Sequence, residues 1–212
     1  MKRIIGRAIV TILTPFVYLK KQVENLFAYE EKCRMERSFG TFGNNSKLFF
    51  PYNLAGQENI AIGENTVILE NSRMNVWRDK DGNYPKVVIG NNCYIGYYFS
   101  LLAAKDVIIE DHVLFASNVL INSHSHGIDP ESEDYYSEQP LTGSSIKIGE
   151  GCWIGEKVCI LPGVTIGKKC IIGANSVVTK SIPDFSIAVG TPAQVVKRWD
   201  FDHHEWKKVE ER

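Results

Sequence analysis

Ile148-Gly149-Glu150-Gly151-Cys152-Trp153-Ile154-Gly155-Glu156-Lys157-Val158-Cys159-Ile160-Leu161-Pro162-Gly163-Val164-Thr165-Ile166-Gly167-Lys168-Lys169-Cys170-Ile171-Ile172-Gly173-Ala174-Asn175-Ser176-Val177-Val178 repeats itself every six residues. An aliphatic side chain stands at Ile148, Ile154, Ile160, Ile166, Ile172 and Val178, and glycine follows four of them, at Gly149, Gly155, Gly167 and Gly173. Four residues after each aliphatic come Cys152, Val158, Val164, Cys170, Ser176 and Ile182, a slot of mostly small residues. Neither the helical period of about 3.6 nor the strand period of 2 produces this spacing. A hexad does if it makes one short strand and one turn, with three hexads closing a triangular coil that buries its apolar edges by stacking on the next.

Working outward, the same period runs through Ile89, Ile95, Leu101 and then Ile109, Phe115, Ile121, with an offset of two residues between the blocks. An earlier coil reads Ile62, Ile68, Met74. Gly63-Glu64-Asn65 and Gly90-Asn91-Asn92 supply corner residues that tolerate positive φ. The stretch from Arg78 to Lys86, with Asp81-Gly82-Asn83, is a polar turn. The pattern breaks for longest between Ser123 and Ile146, and this insertion at about 123–145 is acidic, with Tyr135 and Tyr136 side by side. Three segments are predicted: a helical and irregular part over 1–59, the coil over 60–190, and a tail over 191–212. Trp199 to Arg212, with Phe201 and Trp206 among many charges, reads as a short amphipathic helix capping the open end.

The chain has 212 residues, 44% of them hydrophobic, and a formal net charge of −1, which fits one compact body and leaves no electrostatic footprint for nucleic acid. Cys33, Cys93, Cys152, Cys159 and Cys170 are odd in number and show no CxxC spacing, so they read as small buried residues in a reducing compartment. Lys2, Arg3 and Arg7 lead into the apolar runs Ala8 to Leu13 and Phe16 to Leu19. These runs are shorter than the roughly 20 residues a spanning helix needs. Two readings stay open: a helix packed on the body, or a basic amphipathic segment resting on the inner face of the membrane. The expected location is the cytoplasm, free or at that inner face.

From about Ile60 to Lys197 the chain resembles the hexapeptide-repeat acyltransferases, in the branch of the galactoside, maltose and polysaccharide O-acetyltransferases. The match is carried by Asn122-Ser123-His124-Ser125-His126-Gly127, Cys152-Trp153-Ile154-Gly155, Leu161-Pro162-Gly163-Val164, Val178-Thr179-Lys180-Ser181-Ile182-Pro183 and Gly190-Thr191-Pro192-Ala193. The resemblance implies an all-β fold, a left-handed parallel β-helix with a short N-terminal helical segment and a short C-terminal helix. The hand comes from the resemblance, since the general crossover rule favours the right. It also implies acetyl-CoA as cosubstrate without a metal, direct transfer to a sugar or glycan hydroxyl, and a homotrimer with each site between two subunits.

Under that resemblance His124 is the general base, because removing the acceptor proton calls for a group that titrates near neutrality. His126 competes for that role or lines the acceptor site with Tyr135 and Tyr136. The backbone N–H of Glu156 takes the oxyanion position. Trp153 lines the pantetheine and acetyl end, and Gly173 and Ala174 let the cofactor approach the backbone. Thr179 and Lys180 match the phosphate contacts, and Pro192, Lys197 and Arg198 the tail around the adenine. Two departures matter. The part up to Asn59 differs from the small helical domain of maltose acetyltransferases, which argues against a free mono- or disaccharide acceptor, and the basic apolar N-terminus leans toward a membrane-linked one, a lipid-borne glycan or surface polysaccharide. His112, His124 and His126 lack the spacing of the three-histidine zinc site in the carbonic anhydrases that share the fold. N-acetylation of an amino sugar, and a non-catalytic scaffold built on the same coils, are the alternatives.

Overall fold

The computed structural model describes residues 18–23, 26–27, 29–30, 32–79 and 81–209. Two units are present, Met1–Ser38 and Phe39–Arg212. In the first, the described residues from 18 to 38 are helical. A Lys32–Glu36 ion pair one turn apart at 3.6 Å supports the helix, and the Ser38 hydroxyl donates to the Met35 carbonyl at 2.7 Å. The N-terminal expectations rest mainly on residues 1–17, which lie outside the described residues.

The second unit is a three-sided parallel coil. One face stacks Thr41–Phe42, Ile60–Ile62, Val87–Ile89, Val107–Ile109, Ile146–Ile148 and Thr165–Ile166. A second face stacks Lys47–Leu48, Val67–Ile68, Tyr94–Ile95, Leu114–Phe115, Trp153–Ile154 and Ile171–Ile172, and a third runs from Tyr52–Ala55 to Val177–Val178. The chain visits the three faces in turn, so each apolar triple of the sequence is one turn of the coil. Ile109, Phe115 and Ile121, for example, pair upward with Ile148, Ile154 and Ile160. These side chains are fully buried, and Phe99 meets Phe115 edge to face at 5.5 Å. Full burial of such a side chain contributes about 1.5–3 kcal/mol, and removing one from a close-packed rung adds a cavity cost.

The corners explain the Asn and Gly residues. Asn45, Asn65, Asn92, His112 and Lys169 hold left-handed φ between 53° and 60° at one corner, and Asn71, Tyr98, Asn118, Lys157 and Asn175 hold φ between 56° and 63° at the next. Asn tolerates this conformation because its short amide bonds locally. Corner side chains also tie rung to rung: Asn91 Nδ2 donates to both oxygens of Asp111 at 3.1 and 3.2 Å. Cys93, Cys152 and Cys170 are buried in the small interior slot, all five cysteines are free, and burial pushes the Cys93 thiol up. Cys152 is pushed up as well, first by its hydrogen bond with Cys170 and then by burial.

Two expectations are corrected. The coil begins at Thr41 and not near Ile60: Phe42, Leu48 and Leu54 form a turn in register with Ile62, Ile68 and Met74. These three residues are half-buried, whereas their partners in the next turn are fully buried, so the apolar signal around them is diluted. Over its described residues, up to Val209, the C-terminal segment is not a helix. Ala193–Asp200 runs antiparallel to Ser186–Gly190, and Glu205–Lys208 returns beside it. The physical reason is the free sheet edge left by the last turn, which supplies ladder partners that a helix could not use. Trp199 and Trp206 then fall directly opposite each other, with centroids 5.3 Å apart, instead of sharing a helical face.

Candidate active site

The insertion leaves the third face after Leu120–Asn122 and returns to the first at Ile146–Ile148, so it hangs from one corner of the coil. It is an ordered loop. His124–Ser125 pairs antiparallel with Thr142–Gly143, closing its neck. Gln139 is only 6% exposed and staples the far part: its Nε2 donates to the carbonyls of Asp129 and Asp134, and its Oε1 accepts from the Asp129 N–H at 3.0 Å. Gly127 lies so close that an added Cβ would stand 2.6 Å from the Gln139 side chain.

His124 is half-buried in this neck. The Asn122 side-chain oxygen accepts from its backbone N–H at 3.3 Å, and Trp77, arriving from the rung two turns below, meets its ring edge to face with centroids 5.1 Å apart. Its Nδ1 is enclosed without a hydrogen-bond partner. Burial pulls the imidazole below the ordinary histidine value, the Leu102 backbone carbonyl works against that, and the charge of His126 adds to the depression. The ring is therefore biased toward its neutral form, the state a general base needs. His126 is exposed, and alternation along an extended segment puts it on the same side as His124. Tyr135 and Tyr136 are 79% and 59% exposed on the loop.

The floor of this corner is braced. Asp79 bonds Lys105 Nζ at 2.9 Å and accepts from the N–H groups of Asp81 and Asn83. The Lys105 hydrogen bond, followed by those backbone donors, holds the Asp79 carboxyl below its usual range. The Ser123 hydroxyl donates to the Lys105 carbonyl at 2.8 Å, which anchors the residue just before His124.

The residues singled out in the sequence fall into three groups. Thr179 and Lys180 are exposed on the same corner as His124, two turns above it. Glu156, Gly173 and Ala174 lie at a different corner, after Trp153–Ile154 and Ile171–Ile172. There the Glu156 carboxylate accepts from the Ser117 N–H at 3.2 Å and from Asn118 Nδ2 at 3.0 Å, tying one turn to the turn below. An added Cβ at Gly173 would stand 2.6 Å from Val189 Cγ1, so packing within the chain already requires that glycine. Trp153, 52% exposed, projects from the second face between Leu114 and Ile171, and that outward file continues through Ile187 to Lys197. Pro192 is exposed in the turn that leads into the hairpin, after a cis peptide bond. One chain thus separates His124 from Trp153 and Glu156. Sequence reasoning missed Trp77, Asp79, Lys105, Gln139 and Gly143, none of which occupies a hexad slot.

Comparison with known proteins adds to this geometry. The family model described as bacterial transferase hexapeptide (six repeats) matches residues 145–180. A galactoside O-acetyltransferase of Lactococcus lactis is 37% identical over 112 residues, 53% of this chain and 53% of that protein. A protein of Escherichia coli K12, provisionally named a lipopolysaccharide biosynthesis O-acetyltransferase, is 33% identical over 129 residues, 58% of this chain and 66% of its own length. The chain therefore spans about half to two thirds of these curated relatives. Among solved structures, a maltose O-acetyltransferase from Clostridium difficile 630 superposes with a TM-score of 0.56 at 32% identity, covering 86% of this chain and 77% of that one.

Proposed function

Because the chain belongs to the hexapeptide-repeat acyltransferases, whose fold is the left-handed parallel β-helix, we propose that it transfers an acetyl group from acetyl-CoA to a hydroxyl of a sugar or glycan. The observation that carries this reading is the neck of the insertion. It holds the half-buried, neutral-leaning imidazole of His124 on the same corner as the exposed cation of Lys180. With rungs about 4.8 Å apart, two turns set them roughly 10 Å from each other along the coil. That span suits a thioester at one end and the pantetheine-to-nucleotide stretch of CoA at the other.

In this mechanism the acceptor hydroxyl gives its proton to the imidazole as its oxygen attacks the thioester carbonyl. The bond to sulfur breaks as the tetrahedral intermediate collapses, and the proton passes to the departing thiolate. The oxyanion needs a preorganised donor, and the Glu156 backbone N–H is the proposed one. Trp153 flanks the acyl end, Gly173, Ala174, Thr179 and Lys180 the pantetheine and phosphates, and Pro192 with Lys197 the adenine. Since Trp153, Glu156, Gly173 and Ala174 lie away from the corner of His124 and Lys180 within one chain, a complete site takes them from a neighbouring copy, and the assembly proposed is a homotrimer. The lipopolysaccharide-related name of one relative supports a glycan acceptor, and the proposed location is the cytoplasm or the inner face of the membrane. No helix among the described residues is long and apolar enough to cross a membrane.

A second assignment of the base, to His126, is favoured by one observation: His126 is exposed at the neck, whereas His124 Nδ1 is enclosed. The test is thiol release from acetyl-CoA by wild type, His124→Ala and His126→Ala over a panel of sugars, amino sugars and lipid-linked glycans, with mass spectrometry of the products. A hundredfold to ten-thousandfold loss of turnover, on the order expected for a removed general base, is predicted for His124→Ala at unchanged CoA affinity. The same loss confined to His126→Ala moves the base two residues along. Full activity in both variants overturns the mechanism. Acetylation only of amines makes the enzyme an N-acetyltransferase, and absence of CoA binding makes it a scaffold.

A further inference from the structure

Trp77 ends the strand segment after Ser72–Val76, where its backbone N–H still bonds the Ala103 carbonyl at 2.8 Å, so the residue sits on the rigid coil and not on the loop that follows. Along that strand Asn75 and Trp77 point to the same side, away from the buried Met74 and Val76. Such an outward indole would ordinarily lie in open solvent. Here one part of it abuts the His124 ring and 36% of the residue stays exposed, in a neck otherwise built from small and polar groups: Asn122, Ser123, Ser125 and Gly143. Just beyond it the Asp79 carboxylate accepts from Lys105 Nζ and from the N–H groups of Asp81 and Asn83, which braces the chain next to the indole.

We propose that Trp77 is the acceptor platform, a rigid apolar wall that receives the C–H face of a pyranose ring and turns one of its hydroxyls toward the histidines of the neck. The chemistry favours a cyclic sugar over a flexible alcohol. A pyranose has one face of axial C–H groups that pairs with an aromatic surface, while its equatorial hydroxyls project sideways, toward a group that abuts the edge of the platform. An acyclic polyol presents no such face and pays rotamer entropy to adopt one. Its contact with the His124 ring sets the platform directly beside the histidines of the neck. This assignment rests on the proposed acyl transfer and names the acceptor class for the same site.

The experiment compares wild type, Trp77→Phe and Trp77→Leu on a reactive pyranoside and on an acyclic polyol of equal hydroxyl count, with calorimetric CoA affinity and thermal unfolding in parallel. Trp77→Leu keeps the neck packed but removes the aromatic face. Its KM for the pyranoside is expected to rise about tenfold, the size of one aromatic contact with its buried area, while the polyol KM and the CoA dissociation constant stay within twofold of wild type. Trp77→Phe is expected to recover most of the loss. An unchanged pyranoside KM in Trp77→Leu overturns the platform while leaving the acyl transfer intact. Equal losses on both acceptors, tracking a lowered unfolding temperature, overturn it in favour of a packing role. Absence of transfer to every acceptor in the wild type removes the underlying reaction as well.

Discussion

Gly143 offers a way to displace the histidines of the neck, and so test the proposed base, without altering their chemistry. It is the direct partner of His124 across the two-stranded neck. A Cβ built on it would stand 2.1 Å from the Ser123 carbonyl oxygen and 2.7 Å from His124 Cα, at a φ of +157°. Both obstacles are backbone, so no side-chain rotation relieves them. Ordinary contact begins at 3.4 Å, and Gly143→Ala must therefore push the His124 strand away by about 1.3 Å. A misplacement of about 1 Å costs on the order of a hundredfold in rate where reacting groups must stay aligned. The expected outcome is a fall of about a hundredfold in kcat/KM, with CoA affinity preserved, because Lys180 and the upper turns do not share the strand. Steady-state thiol release and calorimetry with CoA are the assays. Gly82→Ala is the control for backbone strain without a clash, since φ there is +82° but an added Cβ meets nothing within 4 Å. If Gly143→Ala retains kcat/KM within threefold while its structure shows the neck displaced, the neck does not position the reacting groups and the reasoning fails.

Burial lowers the folded-state pKa of His124, so its neutral form persists to lower pH than in a free histidine, and the acid limb of kcat/KM is expected below about 6.5. An acid limb above that value, still present in His126→Ala, would contradict the assigned cause. The same shift fixes a sign for stability. The unfolded chain takes up the proton first, so the contribution of a neutral His124 is complete above about 6.5 and is lost as pH falls through the depressed folded value. Urea unfolding of wild type and His124→Gln on either side of that window reads it. Lys180→Ala is expected to weaken CoA binding about tenfold while leaving kcat at saturation nearly unchanged; an unaltered dissociation constant would remove the phosphate end from that corner.

How much was legible is clearest residue by residue. The triples from Ile62 to Val178 could be read off directly, because every aliphatic in a stacked coil faces one interior and the chain must return to it at fixed intervals. Phe42, Leu48 and Leu54 have the same spacing but lie in the end turn, where partial exposure relaxes the demand for a pure apolar pattern. The last segment was misread because an amphipathic stretch fits a helix or a hairpin equally well until the free sheet edge beside Ser186–Gly190 is known.

The sequence by itself determined the coil, the point where it is interrupted, and the histidines at that interruption, since periodicity and its breaks are properties of chain order. Tertiary structure decided what surrounds those histidines. Trp77 lies 47 positions before His124, and the two meet only because successive turns of the coil set strands 72–76, 100–103 and 120–122 one above another. Gly143, Gln139, Asp79 and Lys105 act through the same kind of juxtaposition. The separation of His124 from Trp153 and Glu156 is likewise a consequence of three faces meeting at different corners. No local pattern carries that information, because contact across rungs depends on the lengths of the insertions between them.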